Sequence, residues 1–280
     1  MKKLLFVLLI IVNLQLFANF RYKPTNKEEL KELIGDESIY LGDIDTSAIT
    51  DMSFLFRSVN RKNYEGIEMW NVSNVQDMSH MFEHVSEFNQ DISNWDVSKV
   101  ENMTTMFKRA RKFNQPIGKW NVEKVENMSD MFVQAYNFNQ DLSSWNVSNV
   151  KNMGGMFYAA TRFNQNLNNW DVSGVKSMFK MFTQAESFNQ PLDNWNVRNV
   201  KHFEFMFASS SAFNQNLDKW DSKIKKRILI SIIYNKIGIY YRPFYAMFEE
   251  TELERLENLP EWYTEIPTEL KTYPIKMPRY

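Results

Sequence analysis

Residues 113–138 read FNQPIGKWNVEKVENMSDMFVQAYNF, and this stretch decides the fold because the chain repeats it. Tryptophans recur 25 residues apart at Trp70, Trp95, Trp120, Trp145, Trp170, Trp195 and Trp220. The tripeptide Phe-Asn-Gln recurs with the same period, starting at residues 88, 113, 138, 163, 188 and 213. A fixed period of this size is typical of a solenoid or another repeat array.

Two hydrophobic periods follow one another inside each repeat. Residues 94–97 alternate between polar and apolar side chains, which predicts a short strand. Met103, Met106, Phe107 and Ala110 then follow the spacing of one face of a helix of about three turns. A residue able to cap a helix precedes this face in five repeats, at Asp77, Asn102, Asn127, Asn152 and Ser177. The sequence therefore predicts a strand and then a helix in every repeat.

A single repeat buries too little apolar surface to be stable alone, so the repeats must stack on one another. Parallel pairing of the strands, with a helix as the crossover, predicts a right-handed coil. The predicted fold class is therefore an α/β repeat solenoid, with one parallel β-sheet and short helices. We expect it to be capped at both ends, because an open end would expose the core.

The first residues of the chain have the layout of a secretory signal peptide. Lys2 and Lys3 precede an apolar run at residues 4–12, and the small Ala18 follows. We predict a signal peptide at residues 1–18, and an uncleaved anchor is the alternative. The expected location is secreted or at the cell surface, with the periplasm as an alternative, and membrane contact comes only through the signal peptide.

Three further segments complete the predicted organisation. Residues 19–38 form an N-terminal helical cap, because Thr25 to Glu28 resemble a capping box and the helical pattern ends at Gly35. Residues 39–220 form the repeat array, whose degenerate first copy is followed by one extra residue within 57–65. Residues 221–280 form a C-terminal cap and tail, in which the basic and apolar stretch 223–241 is either a cap or a membrane-surface element.

The repeat also resembles a known family. The pattern W-[N/D]-V-S-x-V-x-x-M-x-x-M-F-x-x-A-x-x-F-N-Q is similar to the 25-residue repeat of BspA-like bacterial surface proteins (the DUF285 group) over residues 39–220. The string I-x-x-W-x-V at residues 92–97 looks like the strand signature of leucine-rich repeats. The resemblance implies a leucine-rich-repeat-like coil and contact with a host or a cell surface. Val100 replaces the asparagine usual in that signature, so we expect the asparagine ladder at Phe-Asn-Gln.

Composition excludes several classes of function. The chain has no cysteine, so it has no disulfide framework and lacks the best metal ligand. A formal net charge of −1 argues against nonspecific nucleic-acid binding. No nucleophile elbow or glycine-rich phosphate loop is present, and no cofactor is predicted.

One string could carry catalysis. His80, Glu83 and His84 match the H-x-x-E-H pattern of inverzincin metallopeptidases, and on a helix the two histidines would lie one turn apart. A zinc-dependent hydrolase is therefore an alternative function. The competing interpretation is a solvated face, because other repeats carry Thr105, Lys108 and Arg109 at these places.

Positions that differ between repeats are the better candidates for binding. One place changes from acidic to basic along the array, through Gln76, Glu101, Glu126, Lys151, Lys176 and Lys201. The outward sheet residues beside its basic half are Asn146, Asp171 and Asn196. Phe179 and Phe205 stand where most copies have a polar residue or glycine.

From these positions we predict a partner-binding surface made of Lys151, Lys176, Lys201, Asn146, Asp171 and Asn196. The predicted function is that of an exported, adhesin-like bacterial repeat protein, which binds a protein or a cell-surface macromolecule without catalysis. A purely structural envelope protein is a further alternative. The sequence does not indicate an oligomeric state.

Overall fold

The computed structural model describes residues 20–220, 224, 244, 246–255, 259–266 and 268–271. Its helices are α1 (Lys27–Gly35), α2 (Glu252–Arg255), α3 (Glu261–Thr264) and α4 (Thr268–Lys271), and its 3-10 turns are Leu41–Asp43, Ile67–Met69, Ile117–Lys119 and Asp218–Trp220. Within these residues there is no β-strand and no sheet. The predicted right-handed α/β solenoid with a parallel sheet is therefore wrong, as are the strand at residues 94–97 and the helix after it.

The repeats meet instead through isolated parallel bridges, one residue to a repeat. The bridged residues are Asp51, Asp77, Asn102, Asn127, Asn152, Ser177 and His202, each paired with the next in the series. These include the residues predicted as helix caps. Their side chains do accept a backbone N–H two residues ahead, as when Asn102 Oδ1 accepts from Thr104 N at 3.1 Å. The predicted capping chemistry is present, but it opens a turn rather than a helix.

Residues 103–110 form three overlapping turns, and the corresponding ribbon of each repeat is called a rung below. Within this rung, the N–H groups of Met106, Lys108 and Ala110 bond to the carbonyl three residues earlier at 2.9–3.2 Å. The N–H groups of the alternate residues leave the rung and donate to carbonyls of the next one at 2.7–3.0 Å. These bonds are Met103 to Asn127, Thr105 to Ser129, Phe107 to Met131 and Arg109 to Val133.

Left-handed backbone at every fourth residue explains why a rung imitates a helix in sequence. Thr105 and Arg109 have φ of 60° and 61°, at the third residue of a turn, where a type II turn requires positive φ. The matching residues of other rungs are His80, His84, Asp130, Gln134, Gly155, Ala159, Lys180, Gln184, Phe205 and Ser209. A ribbon with this four-residue period buries Met103, Met106 and Phe107 as a helical face would.

The left-handed positions predict opposite effects for two neighbouring alanines. Ala159 has φ of 54°, whereas Ala160 has an ordinary backbone. Ala159→Gly should raise the free energy of unfolding by up to about 1 kcal/mol, because glycine adopts positive φ without steric strain. Ala160→Gly should lower it by about 0.5–1 kcal/mol. Urea unfolding of both variants checks this, and equal destabilisation by the two would indicate a helix over residues 153–160.

Two columns of stacked phenylalanines fill the core. Phe107 lies 5.6 Å from Phe82 and 5.6 Å from Phe132 in the neighbouring rungs, with nearly parallel rings. A second column starts at the Phe-Asn-Gln tripeptide, and Phe113 lies only 4.0 Å from Phe107 of the same repeat. The buried tryptophans add hydrogen bonds. Trp120 Nε1 donates to the carbonyl 28 residues earlier, at 3.1 Å, and the other repeat tryptophans do the same, except that Trp70 donates to Leu41 O, 29 residues earlier.

The asparagine ladder lies at Phe-Asn-Gln, as predicted. Asn114 Oδ1 accepts from Asn139 N at 2.9 Å, and the side chain of Gln140 donates to the same oxygen at 3.0 Å. The asparagine bond recurs at 2.9 Å in four further steps of the array. These side chains are used to satisfy backbone groups, so they are not a free binding row.

Helix α1 covers the first rung. Its N-cap is Asn26, whose Oδ1 accepts from Glu29 N at 2.9 Å, so the cap lies one residue after the predicted Thr25. Leu30 and Ile34 are buried against the core. The guanidinium of Arg61, only 6% exposed, donates to backbone carbonyls at the end of this helix and just beyond it. Burial lowers the pKa of Arg61.

The sequence pattern missed a further rung at the C-terminal end. Phe207 and Ser209 donate to the carbonyls of Met247 and Glu249 at 2.9 and 2.7 Å, and Phe248 stacks on Phe207 at 5.7 Å. Trp262 then donates to Leu217 O at 3.1 Å, which continues the tryptophan ladder. The signal was present in Phe-x-x-Met-Phe at residues 244–248, which matches residues 203–207, but the offset is 41 residues instead of 25.

Two predicted segments lie outside the described residues. These are the signal peptide at residues 1–18 and, except for Ile224, the basic and apolar stretch 223–241. Over the part of the chain that the structure describes, no helix combines the length and apolar character needed to span a membrane.

Candidate macromolecule-binding surface

The column that changes from acidic to basic is continuous in the structure. The N–H of Lys151 donates to Glu126 O at 2.8 Å, that of Lys176 to Lys151 O at 2.8 Å, and that of Lys201 to Lys176 O at 2.7 Å. Gln76, Glu101 and Glu126 continue the column with the same bond at 2.8 Å. All six residues are exposed. Backbone bonding of this kind places successive side chains about 5 Å apart, which brings the three lysines together.

Gly174 gives the lysine column a local irregularity. Five of the other repeats carry asparagine or lysine at this place, including Asn149 and Asn199 on either side. A Cβ at Gly174 would lie 3.4 Å from Lys151 Nζ and 2.9 Å from Ser148 O. The Lys151 ammonium therefore lies beside residue 174 of the next repeat, where a side chain larger than that of glycine would crowd it.

The predicted sheet residues beside the lysines have a different setting. No strand carries Asn146, Asp171 and Asn196, so the reason given for their outward direction is wrong. Asn146 and Asp171 are nevertheless exposed, while Asn196 is half-buried. Asp171 Oδ1 accepts from Ser173 N at 3.0 Å, and hydrogen bonds from Ser173 lower the pKa of this carboxyl. Asn146 and Asp171 are therefore exposed to solvent, and each also stabilises a turn through a hydrogen bond from the backbone two residues ahead.

An apolar side chain lies close to the lysine column. Phe179 is 41% exposed and is three residues from Lys176, a Cα separation of at most about 11 Å. The Lys180 ammonium lies 5.0 Å from the centre of the Phe179 ring and 5.3 Å from that of Phe205. Phe205 is half-buried. Phe179 therefore supplies an exposed aromatic group beside the cations, and Lys180 is a neighbour that the repeat comparison missed.

Glu204 is an unusual carboxyl at the edge of this surface. Its Oε1 lies 3.1 Å from His202 Nδ1, while Oε2 is buried and has no hydrogen-bond partner among the described residues. Burial raises the pKa of Glu204, and the contact with His202 only partly opposes it. A protonated acid suits this site better than a carboxylate does.

The raised pKa of Glu204 predicts the pH dependence of stability. The stabilisation of the folded state by protonated Glu204 is complete below the ordinary pKa of 4.5. It is lost as the pH rises through the higher pKa that Glu204 has in the folded state. As the pH rises from about 4 to about 7, the free energy of unfolding of Glu204→Gln should therefore increase relative to that of the natural protein. Urea unfolding at both pH values measures this. Glu101→Gln, at an exposed site with the same change of charge, is the control, and an identical pH response of the two variants would contradict the prediction.

The H-x-x-E-H string does not lie on a helix, so the predicted helical spacing of its histidines is wrong. His80 and His84 are both left-handed residues of one rung. Glu83 between them is buried, which also contradicts the solvated-face interpretation at that residue. Its carboxylate lies 2.8 Å from Arg57 Nε, 2.8 Å from His80 Nδ1 and 3.5 Å from His84 Nε2. Glu83 is thus the centre of an ion-pair cluster. No group of three or more metal-ligating side chains suited to an ion occurs among the residues that the structure describes.

Comparison with known proteins identifies a family. A family model described as "Mycoplasma protein of unknown function, DUF285" matches residues 28–145 and 134–229. The searches of curated proteins and of solved structures returned no match. The two matched ranges span most of the repeats and well over half of the chain, so the chain belongs to the DUF285 family.

Proposed function

We propose that the protein is an exported binding module, whose partner is an acidic surface of another protein or of a cell-surface macromolecule. The observation that carries this proposal is the exposed lysine column, Lys151, Lys176 and Lys201, on three consecutive repeats. Core positions are uniform because packing requires it, whereas this exposed position varies between repeats and is lysine in three neighbouring ones. Like charges about 5 Å apart repel by under about 1 kcal/mol in water, so a partner with negative charge would relieve a small existing cost.

The exposed ring of Phe179 could add binding energy that the lysine column alone does not supply. Exposed ion pairs contribute only about 0.2–1 kcal/mol each, so three lysines alone give weak binding. Binding energy at interfaces concentrates in a few buried aromatic and arginine side chains surrounded by polar groups. Phe179, exposed beside Lys176 and Lys180, has this character. The proposed partner therefore carries an apolar group next to its acidic groups.

Two sequence features support export and surface contact. The layout of residues 1–18 is that of a secretory signal peptide, which favours a secreted or cell-surface location. The repeat pattern resembles that of BspA-like surface proteins, which favours adhesin-like binding. Neither feature identifies the partner.

The test reverses the charge of the column. The purified protein and its Lys151→Glu/Lys176→Glu/Lys201→Glu variant are compared in capturing proteins and polysaccharides from cell-surface fractions. The variant should keep its melting temperature, because surface substitutions change stability little. It should lose at least about tenfold in affinity for the captured partner.

A matched control has the same change in net charge elsewhere. Lys99→Glu/Lys119→Glu/Lys124→Glu alters three exposed lysines outside the column and should retain the partner. Equal retention by both variants would rule out the lysine column. Loss of binding in both would show that only overall charge matters. Capture of nothing by the natural protein would favour the purely structural alternative.

A further inference from the structure

A pocket of about 470 Å³ opens between the first two rungs, at the place where the repeat gains its extra residue. Its apolar part includes Phe56, Val59 and Val85, and its polar part includes Arg57, Lys62 and His84. Ligand pockets in proteins commonly have volumes of about 300–1,000 Å³ and combine an apolar lining with a few polar groups. Insertions in repeat proteins often lie on a binding face.

The buried carboxylate of Glu83 positions the cationic side chains at the rim of this pocket. Glu83, with 5% of its side chain exposed, contacts Arg57 and both histidines of its rung. Phe54 stacks on His80 at 4.2 Å, and Arg57 lies 5.4 Å from the centre of the Phe54 ring. The side chains at the place of Glu83 in later rungs are Lys108, Val133, Tyr158, Thr183 and Ala208, so packing of the repeat does not require a buried acid there.

The side chains that line the pocket include three cations, Arg57, Arg61 and Lys62, and one carboxylate, Glu87. Glu37, just outside the lining, accepts from the backbone N–H of Lys62 at 2.6 Å and offsets part of this positive charge. Glu83 balances Arg57, and Glu87 on the rim is paired with Lys112. Arg61 also lines the pocket and donates to neutral backbone carbonyls. Lys62 is exposed at the rim. Arg57 pairs with Glu83 through Nε. The two terminal nitrogens of Arg57 carry four further N–H donors, in a geometry that suits a carboxylate.

From this arrangement we propose a second site, independent of the lysine column, that binds a singly charged organic anion with an apolar body. The carboxylate of the ligand pairs with Arg57 and Lys62, and its aliphatic or aromatic part packs on Phe56, Val59 and Val85. Glu83 acts as a positioning residue, because it orients Arg57 and His84 and is itself buried beneath them.

The test uses octanoate and its neutral amide, octanamide, as probes for the full chain in isothermal titration calorimetry. Octanoate should bind at least about tenfold more tightly than octanamide, since a hydrogen bond to a charged group is stronger than one to a neutral amide. Arg57→Gln/Lys62→Gln should remove this difference by weakening octanoate alone. Lys119→Gln/Lys124→Gln, two exposed lysines elsewhere, should leave both affinities unchanged.

A third variant tests the apolar part of the site. Val59→Asn, at a half-buried position of the inserted loop, should weaken both probes by a similar factor. The proposal is overturned if octanoate and octanamide bind equally, if neither binds, or if octanoate binds the Arg57→Gln/Lys62→Gln variant as well as the natural protein. None of these outcomes affects the lysine column, because the two sites share no residue.

Discussion

Replacing Trp145 by alanine should lower the free energy of unfolding by about 3–5 kcal/mol. Trp145 is 3% exposed and stacks on Trp170 at 6.4 Å, so truncation leaves a cavity between two rungs. Its Nε1 donates to Ile117 O at 3.1 Å, and the variant loses this buried bond, although Trp120 N still donates to the same carbonyl at 3.1 Å. Urea unfolding followed by far-UV circular dichroism measures the loss.

A second substitution separates packing from hydrogen bonding at the same place. Trp145→Phe keeps a ring in the stack but removes the indole N–H, and it should cost about 1–3 kcal/mol. Asn146→Ala, next in the chain but exposed, should cost under about 1 kcal/mol because it removes only a turn contact to Ser148. A loss below about 1 kcal/mol in Trp145→Ala would contradict the stacked core.

Replacing Trp262 by alanine should be nearly as damaging, with a loss of about 3–5 kcal/mol. Trp262 is 1% exposed, donates to Leu217 O and lies 6.0 Å from Phe244 and 6.3 Å from Phe248. This prediction follows from the rung made by residues 244 and 246–251, which covers the aromatic columns of the last regular repeat.

The control for this prediction is Glu261→Ala, at an exposed residue that adjoins Trp262. It should change stability by under about 0.5 kcal/mol. If Trp262→Ala is as mild as this control, Phe244, Phe248 and Trp262 are not an integral part of the stack, which would contradict the prediction.

The sequence was sufficient for the period, the core and the side-chain ladders. Trp120, Phe107 and Asn114 occupy the buried or bonded places that their recurrence indicates, and the N-cap of helix α1 lies within one residue of the predicted one. Recurrence reports which residues are equivalent, and equivalent residues stack whatever the local backbone is. This is why the column of Lys151 and Lys176 is continuous although the predicted sheet is wrong.

The local backbone could not be read from the hydrophobic pattern. A helix and a ribbon of turns with left-handed residues at 105 and 109 bury the same positions, Met103, Met106 and Phe107. The two differ in where the N–H groups donate, which a pattern of side chains does not report. Left-handed residues usually signal themselves as glycine, but here only Gly155 does so among the left-handed positions of the regular repeats.

The candidate sites were predictable to different degrees. The lysine column differs from the other columns in sequence, so comparison of the repeats found it. Arg57 and Glu83 come from different repeats, and only the stacking of the two rungs brings them to 2.8 Å. Trp262 was missed because an insertion shifts its register, which hides a degenerate copy from any search at a fixed period.

The central claim is that each rung is a ribbon of turns bonded to the next rung. Its most direct test is the scalar coupling across individual hydrogen bonds, measured by NMR on deuterated protein. The amide nitrogen of Phe107 should couple to the carbonyl carbon of Met131 in the next repeat, because these groups bond at 2.9 Å. Thr105 should couple to Ser129 in the same way. Coupling of Phe107 to the carbonyl of Met103, four residues earlier, would instead show an α-helix and would contradict the fold described for every rung.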